Sequence, residues 1–314
     1  MKPKVAIIIV NWNGKKDTLE CLNSLQRDLY SNKEIIIVDN ASSDGSIESI
    51  ERSGFNVKVV RSSRNLGFTG GNNLGLIEAQ KYGVRYAFLL NNDTTVEPRA
   101  LSALVEVAEE RPSDAILSPV IHYGDVPAEI WFAGATLRIN RGEALHDLSL
   151  VPGRLSETYT SPWVSGCAML IRMVAVDQVG GFDERFFLNW EDVDLCVRMR
   201  KAGWEVSVVP RSRIYHKVGR SQLKLHGINS YYSVRNSLLL SIKHAGFGYF
   251  PAVLSVMLRH FREAMRSSGS KRKEMCRTTI EGFYDHLIGR YGQRGVEASV
   301  LPKISSEPGV ELAA

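Results

Sequence analysis

Short β-branched apolar runs alternate with stretches of helical spacing through the first 120 residues. Residues 5–10 (VAIIIV), 34–39 (EIIIVD), 57–60 (VKVV) and 86–90 (YAFLL) have the length and makeup of strands buried on both faces. Between them Leu19, Leu22 and Leu25 fall at helical spacing, as do Ile47 with Ile50 and Leu101, Leu104 with Val107. Such alternation predicts βαβ units and a mostly parallel sheet covered by helices on both faces, an α/β fold.

Each predicted strand runs into a polar cluster: NWNG from Asn11, DNASSDGS from Asp39, RNLGFTGGNN from Arg64 and NNDTT from Asn91. Ligands of open α/β sheets bind beyond the carboxyl ends of the strands, so four such clusters on one rim predict a polar crevice. The glycine-rich cluster lacks G-x-G-x-x-G spacing and does not follow the first strand, which removes the support for a dinucleotide fingerprint. It reads as a tight, flexible loop that lets backbone approach a ligand.

Farther on, residues 115–162 are less regular, with strand-like pieces in AILSPVIHY and IWFAGATLRI. Residues 167–172 (CAMLIR) read as a strand, EDVDLCVRMRKAG as a helix closed by Gly203, and WEVSVVP as a strand ended by Pro210. From about Lys217 to Tyr291 the spacing is helical. A catalytic-type α/β domain over 1–221, a basic helical region over 222–292 and a polar tail over 293–314 follow, with the boundary near Gln222.

Net charge divides the chain. Residues 1–209 hold 22 Lys and Arg against 27 Asp and Glu, whereas residues 210–314 hold 17 against 7. The basic third predicts an anionic partner, a membrane surface or a phosphorylated ligand. It shows no nucleic-acid-binding module and no clear stacking platform, so a nucleic-acid partner is not expected. The most apolar stretch, residues 238–258, is interrupted by Lys243, His244, two glycines and Pro251 and is suited to lie on a membrane rather than to cross it. Cys21, Cys167, Cys196 and Cys276 are too widely spaced for a CxxC metal pair, and reduced thiols in a cytoplasmic protein are expected.

Three constellations carry candidate chemistry. Asn91, Asn92 and Asp93 at a strand end offer hard oxygen ligands where a divalent cation and a diphosphate could meet; the same residues also suit a turn in which Asp93 caps a helix starting near Pro98. Glu191 and Asp192 open a helix after an aromatic loop, where a carboxylate can be held ionised to serve as a general base. Acidic residues also simply favour that position, with Asp194 and Arg198 paired at i,i+4. His216 at a strand end near Asp93 could complete a metal site.

Together, in this order and spacing, VNWNG, IIVDNASSDGS, RNLGFTGGNN, LLNNDT, GFDERFFLNWEDVDLCVR and the later histidine resemble the family 2 glycosyltransferases of the GT-A fold. The resemblance is strongest to the rhamnosyltransferase-like subgroup that builds cell-surface polysaccharide. It covers residues 5–216 and extends more weakly through YYSVRNSLLL at 231–240. It implies that Asn91, Asn92 and Asp93 replace the family's D-x-D motif, Asn91 standing where an aspartate is common. It also implies that Asp39 reads the pyrimidine, that Asn11, Asn13, Arg64 and Asn65 line the nucleotide pocket, and that Asp93 and His216 hold Mg²⁺ or Mn²⁺. Asp192 would then be the base, Glu191 would orient it, and Trp163, Gly166 and Trp190 would flank donor sugar and acceptor.

The implied reaction is one inverting displacement at the anomeric carbon, with dTDP-L-rhamnose the favoured donor and UDP-hexoses, including UDP-galactofuranose, close behind. The implied acceptor is a glycan or a polyprenyl-diphosphate-linked sugar. A catalytically silent relative that only binds nucleotide sugar is the alternative. The basic C-terminal segment, with Phe247, Tyr249, Phe250, Arg259, Arg262, Arg266 and Lys271 to Lys273, would serve as a peripheral membrane contact, as a packed helical subdomain or as a homodimer interface.

Overall fold

The structure is a computed structural model that describes residues 2–148, 157–218 and 226–295. The first half alternates as expected: β1 (Val5–Asn11), α1 (Lys15–Gln26), β2 (Lys33–Asp39), α2 (Ser46–Arg52), β3 (Lys58–Arg61), α3 (Gly67–Gln80), β4 (Tyr86–Leu90), β5 (Thr94–Val96) and α4 (Ala100–Glu110). There follow β6 (Asp114–Tyr123), β7 (Ile130–Phe132), β8 (Ala135–Arg138), β9 (Glu143–His146), β10 (Tyr159–Thr160), β11 (Ala168–Arg172), α5 (Met173–Val179), α6 (Glu191–Lys201) and β12 (Glu205–His216). Three helices close the described chain, α7 (His226–His244), α8 (Tyr249–Arg266) and α9 (Gly269–Leu287).

The main sheet runs β10-β12-β6-β11-β4-β1-β2-β3. Its long strands β3, β2, β1, β4, β6 and β12 all point the same way, and β11 is wedged antiparallel between β4 and β6. Alternate side chains of β1 meet helices on opposite faces. Asn11 bonds to Thr18 of α1, while Ile8 and Val10 face Gly75 and Gly71 of α3. β4 and β1 are buried almost throughout, which is why their sequences are continuous apolar runs.

Three sequence expectations are corrected. The glycine-rich stretch is not a flexible loop: Gly67–Gln80 is the helix α3. Its glycines are packing residues, because a Cβ on Gly75 would stand 2.3 Å from Ile8 Cγ2 and one on Gly71 would stand 2.8 Å from Val10 Cγ1. The strand after Trp204 does not end at Pro210. It runs on to His216, and its register against β6 shifts between Val209 and Arg213, so the proline sits in an irregularity where no ladder donor is needed. The turn in which Asp93 would cap a helix near Pro98 is not formed either. β5 intervenes and α4 starts at Ala100 without a side-chain cap. The expected domain boundary near Gln222 and most of the 293–314 tail lie outside the described residues.

α6 and α7 are joined through a buried ion cluster. The Asp194 carboxylate is fully buried and bonds to Arg198 Nε at 2.8 Å, Lys243 Nζ at 2.6 Å and His244 Nε2 at 2.8 Å; Lys243 also reaches Asp183 at 2.6 Å. Burial alone would raise the Asp194 carboxyl, but His244, Arg198 and Lys243 outweigh it and hold it below the ordinary aspartate range. A carboxyl depressed on folding stabilises the protein above its unfolded pKa, and that contribution is lost as pH falls through the folded value. We therefore expect stability to drop below about pH 4. Asp194→Asn should cost about 2 kcal/mol near neutrality and flatten the acid decline; melting temperature measured against pH for both proteins checks this.

Candidate active site

Beyond the carboxyl ends of β1 and β4 lies a cavity of about 910 Å³ whose wall includes Trp12, Asn40, Asn65, Asn91, Asn92, Asp93, Trp163, Gly166, Trp190, Glu191, Asp192 and His216. One side is the end of β4. The Asn91 amide donates to the Cys167 carbonyl at 2.9 Å, and Asn92 Nδ2 donates to Thr18 Oγ1 at 3.0 Å. The chain then turns into β5, which zips antiparallel onto the last residues of β12, with Thr94 opposite His216. That pairing brings His216 Nε2 to 3.1 Å from Asp93 Oδ1. The imidazole is also held edge-on by Trp131 at 4.8 Å between ring centroids. Burial would lower His216, but its contacts with Cys167 and Asp93 raise it to about 10, which favours the charged form beside the Asp93 carboxylate.

With His216 neutral, the same two groups are an oxygen and nitrogen donor pair of the kind Mn²⁺ accepts. Among the described residues no cluster of three or more His, Cys, Asp or Glu is placed to hold a metal. Two protein donors opening on a cavity suit a cation that takes its remaining ligands from substrate phosphates and water.

The opposite wall is the 181–192 segment. Phe187, Asn189 and Trp190 have φ of 62°, 67° and 74°, left-handed values that non-glycine residues seldom adopt. Neighbours hold this conformation from two sides. The α3 start donates Phe68 N–H to the Phe187 carbonyl at 2.8 Å, and Asn73 bonds to both the N–H and the carbonyl of Phe182 at 2.8 and 2.9 Å. From α7, Asn236 Nδ2 lies 2.8 to 2.9 Å from the carbonyls of Phe186, Leu188 and Asn189. Fully buried Arg235 bonds to the carbonyls of Arg185 and Phe186 at 3.1 Å and of Gly292 at 2.7 Å.

The segment delivers Asp192 to the cavity in the first turn of α6. Its Oδ2 accepts the Gly166 N–H at 2.8 Å and its Oδ1 accepts the Val193 N–H at 2.8 Å. Burial raises the Asp192 carboxyl despite these bonds, and burial together with the Asp192 charge raises Glu191 further. Glu191 Oε2 is buried without a hydrogen-bond partner. A neutral Glu191 beside an ionised Asp192 is the arrangement that minimises repulsion between two adjacent carboxyls. Gly166 is packed tightly here: a Cβ would stand 3.0 Å from the Phe68 ring and 3.3 Å from Asp192 Cβ. Gly166→Ala should shift Asp192 and lower kcat about ten- to a hundredfold, with donor-induced thermal stabilisation retained.

Of the residues singled out from sequence, Asn65, Asn91, Asn92, Asp93, Trp163, Gly166, Trp190, Glu191, Asp192 and His216 meet at this cavity, whereas Asn11, Asn13, Asp39 and Arg64 do not line it. Asn11 is buried and bonds to Ser42, Ser46 and Thr18, and Asn13 Oδ1 accepts the Ser43 N–H at 2.7 Å. Asp39 accepts the Ser42 N–H at 3.3 Å, and the Arg64 backbone bonds to the Ser62 hydroxyl. These contacts shape the loops after β1, β2 and β3. Trp12, Asn40, Asn72, Trp131 and His146 were missed as wall residues. Trp12 had a signal, since a tryptophan at the end of a buried strand and 50% exposed has no core to fill. Asn40 had none, because its bonds to Asn65, Leu66 and Gly67 appear only in the folded chain.

Comparison with known families decides the class: the model described as glycosyl transferase family 2 matches residues 6–180. The chain belongs to that family. As a family 2 enzyme it is a nucleotide-sugar glycosyltransferase, and a second model, described as the N-terminal domain of galactosyltransferase, matches residues 152–220. Among curated proteins this transferase is similar to an N-acetylglucosaminyl-diphospho-decaprenol L-rhamnosyltransferase of Mycobacterium tuberculosis, at 26% identity over 69% of this chain and 77% of that one. It is also similar to the dTDP-rhamnosyl transferase RfbF of Shigella flexneri, at 24% identity over 82% and 84%. Its fold is that of GT-A glycosyltransferases. The mannosyltransferase PcManGT from Pyrobaculum calidifontis, solved with GDP-Man and Mn²⁺, aligns with a TM-score of 0.60 at 14% identity over 92% of this chain and 88% of that one. Staphylococcus aureus TarS 1–349 with UDP-GlcNAc aligns at 0.56, with 15% identity over 92% and 84%. Among the described residues no helix is long and apolar enough to cross a membrane.

Proposed function

We propose that this transferase moves a sugar, with inversion, from a nucleoside diphosphate donor to a hydroxyl of a glycan acceptor carried on a polyprenyl diphosphate. The observation that carries the reading is the Asp192 carboxylate, fixed by the Gly166 and Val193 N–H groups on the same cavity that holds Asp93 and His216. Asp192 takes the proton from the acceptor hydroxyl as that oxygen attacks the anomeric carbon. Glu191, behind it, keeps the carboxyl pair at a single negative charge.

Asp93 and His216 would hold a divalent cation, Mg²⁺ or Mn²⁺, which when bound supplies charge neutralisation for the departing diphosphate. Trp12 offers an exposed ring for a nucleobase to stack on, and Asn65 on the same cavity wall carries a side-chain amide for base or ribose. Asp39, with Asn11, Asn13 and Arg64, lies off the cavity wall and would act on the pyrimidine through the loops after β1, β2 and β3 that these residues shape. Trp163 and Trp190 would flank the transferred sugar and its acceptor.

The favoured donor is dTDP-L-rhamnose, supported by the two rhamnosyltransferase relatives; UDP-hexoses, including UDP-galactofuranose, are the competing donors. The test is melting of the purified protein with each nucleotide sugar, with and without Mn²⁺. Ligand that binds only the native state raises the transition by mass action, by roughly 2.7 kcal/mol at a hundred times Kd. A rise that requires Mn²⁺ and is largest for dTDP-rhamnose supports the reading. No rise with any donor would count against the transferase and against a silent relative that only binds nucleotide sugar; turnover separates those two.

A further inference from the structure

α8 has two apolar faces, and only one is used by the fold. Ala252, Val256, His260 and Ala264, spaced by four, are buried. They seat the helix beside residues 139–143: Arg259 donates to the Gly142 carbonyl at 2.6 Å, and Val256 lies so close to Gly142 that a Cβ there would stand 2.5 Å away. On the other side Phe250, Leu254, Leu258, Phe261 and Met265 are 73%, 63%, 44%, 36% and 64% exposed, and Phe247 just before the helix is 97% exposed. At 100° per residue the five helical positions fall within an arc of about 80°. A helix that merely closes a domain turns polar residues to water on this side.

The charge around the stripe narrows what covers it. From Phe247 to Lys273 the one acidic residue is Glu263, which helical spacing places on the side of α8 away from the stripe, whereas exposed Arg262, Arg266, Lys271, Arg272 and Lys273 gather toward the end of α8 and the start of α9. A second copy of this chain laid on the stripe would bring arginines with no carboxylate on that face to meet them. An anionic lipid surface supplies both partners at once, acyl chains for the phenylalanines and leucines and phosphates for the basic side chains. The helix is about 27 Å long at 1.5 Å per residue and can lie flat in the headgroup region.

We propose that α8 is an interfacial docking helix that seats the protein on anionic lipid through Phe247, Phe250, Leu254, Leu258, Phe261 and Met265. The surface it contacts is one hairpin away from the cavity, because residues 139–143 lead into β9, whose Ala144 and His146 line the cavity wall. On the transferase reading above, docking brings a lipid-linked acceptor to that wall; the docking itself does not depend on the reading.

The test is flotation of the full-length protein with extruded vesicles of phosphatidylcholine alone or mixed equally with phosphatidylglycerol, at low and high salt, alongside the triple variant Phe250→Ser, Leu254→Ser, Phe261→Ser. Binding to the phosphatidylglycerol vesicles that weakens with salt and falls about tenfold or more in the variant is the expected result. Equal binding by variant and parent, or no binding by the parent, overturns the proposal. A salt-resistant parent dimer that the variant breaks into monomers, seen by analytical ultracentrifugation without lipid, also overturns it and assigns the stripe to a second copy. The replaced side chains are exposed, so the variant should melt like the parent. Donor-induced stabilisation, measured without vesicles in the same preparations, reports separately on the transferase reading.

Discussion

Asp192→Asn should lower kcat by about 10² to 10⁴, the usual contribution of a positioned general base, while the rise in melting temperature with donor and Mn²⁺ stays. The amide cannot accept the acceptor's proton, yet it has nearly the same shape, and its one oxygen can still accept one of the two N–H groups, Gly166 or Val193, that the carboxylate holds through separate oxygens. The fall should therefore appear in turnover and not in donor binding. The parent enzyme's pH profile carries the same information. Because burial raises the Asp192 carboxyl, the acidic limb of the rate profile should lie above the ordinary aspartate range. Activity is lost as pH falls through that raised value, since the protonated acid is not a base. Initial rates against pH for parent and variant, with donor melts beside them, check both statements. An Asp192→Asn enzyme that turns over normally would remove Asp192 from the reaction.

The second large effect is expected at a distance from the reacting atoms. Arg235→Met should destabilise the protein by about 3 kcal/mol, because the buried Gly292 carbonyl loses its donor, while the Arg185 carbonyl keeps only the Gly292 N–H and the Phe186 carbonyl keeps Asn236 and the Leu188 N–H. The guanidinium also stacks among Tyr231, Tyr232 and Tyr291 at 4.9 to 5.7 Å, and the shorter, uncharged side chain forfeits that packing as well. Asn236→Ala is the milder probe. It frees the carbonyls of Leu188 and Asn189, letting the left-handed residues relax and Asp192 drift. We expect kcat to fall about tenfold to a hundredfold, since misplacement by one ångström can cost that much, with little change in donor affinity. Thermal melts separate the two variants from a general loss of fold. Unchanged turnover in a folded Asn236→Ala protein would show that the segment keeps its shape without α7.

Residues whose meaning lies in local pattern were legible. β1, β2 and β4 are sandwiched between helices and so are written as unbroken apolar runs, and the polar residues that follow them do gather at one rim. Glycine and proline misled because each has two physical uses. Gly71 and Gly75 serve close packing of helix on strand and not loop freedom, and Pro210 occupies a break in register that the strand then passes. Both depend on what lies opposite, which the local sequence does not contain. Arg235 and Asn236 were visible in YYSVRNSLLL, but their work is to satisfy carbonyls some 50 positions earlier in the chain. The region they belong to reads in sequence as basic and helical, with a boundary near Gln222. Through these two side chains and the Lys243–Asp194 pair, α7 is joined to the segment that presents Asp192.

The joining of β5 to the far end of β12 has a consequence for how the protein is made. Lys217, next to His216, pairs with Asp17, 200 residues away, so the rim is closed between segments far apart in the chain. While the protein is being synthesised, β1 to β4 can pair and cover themselves with helices long before the ribosome has released β12 or α7. During that interval the growing chain has Asp93 without His216, and then a 181–192 segment without its α7 support. The rim and the support for the 181–192 segment are thus assembled only once the chain through α7, ending at His244, has emerged.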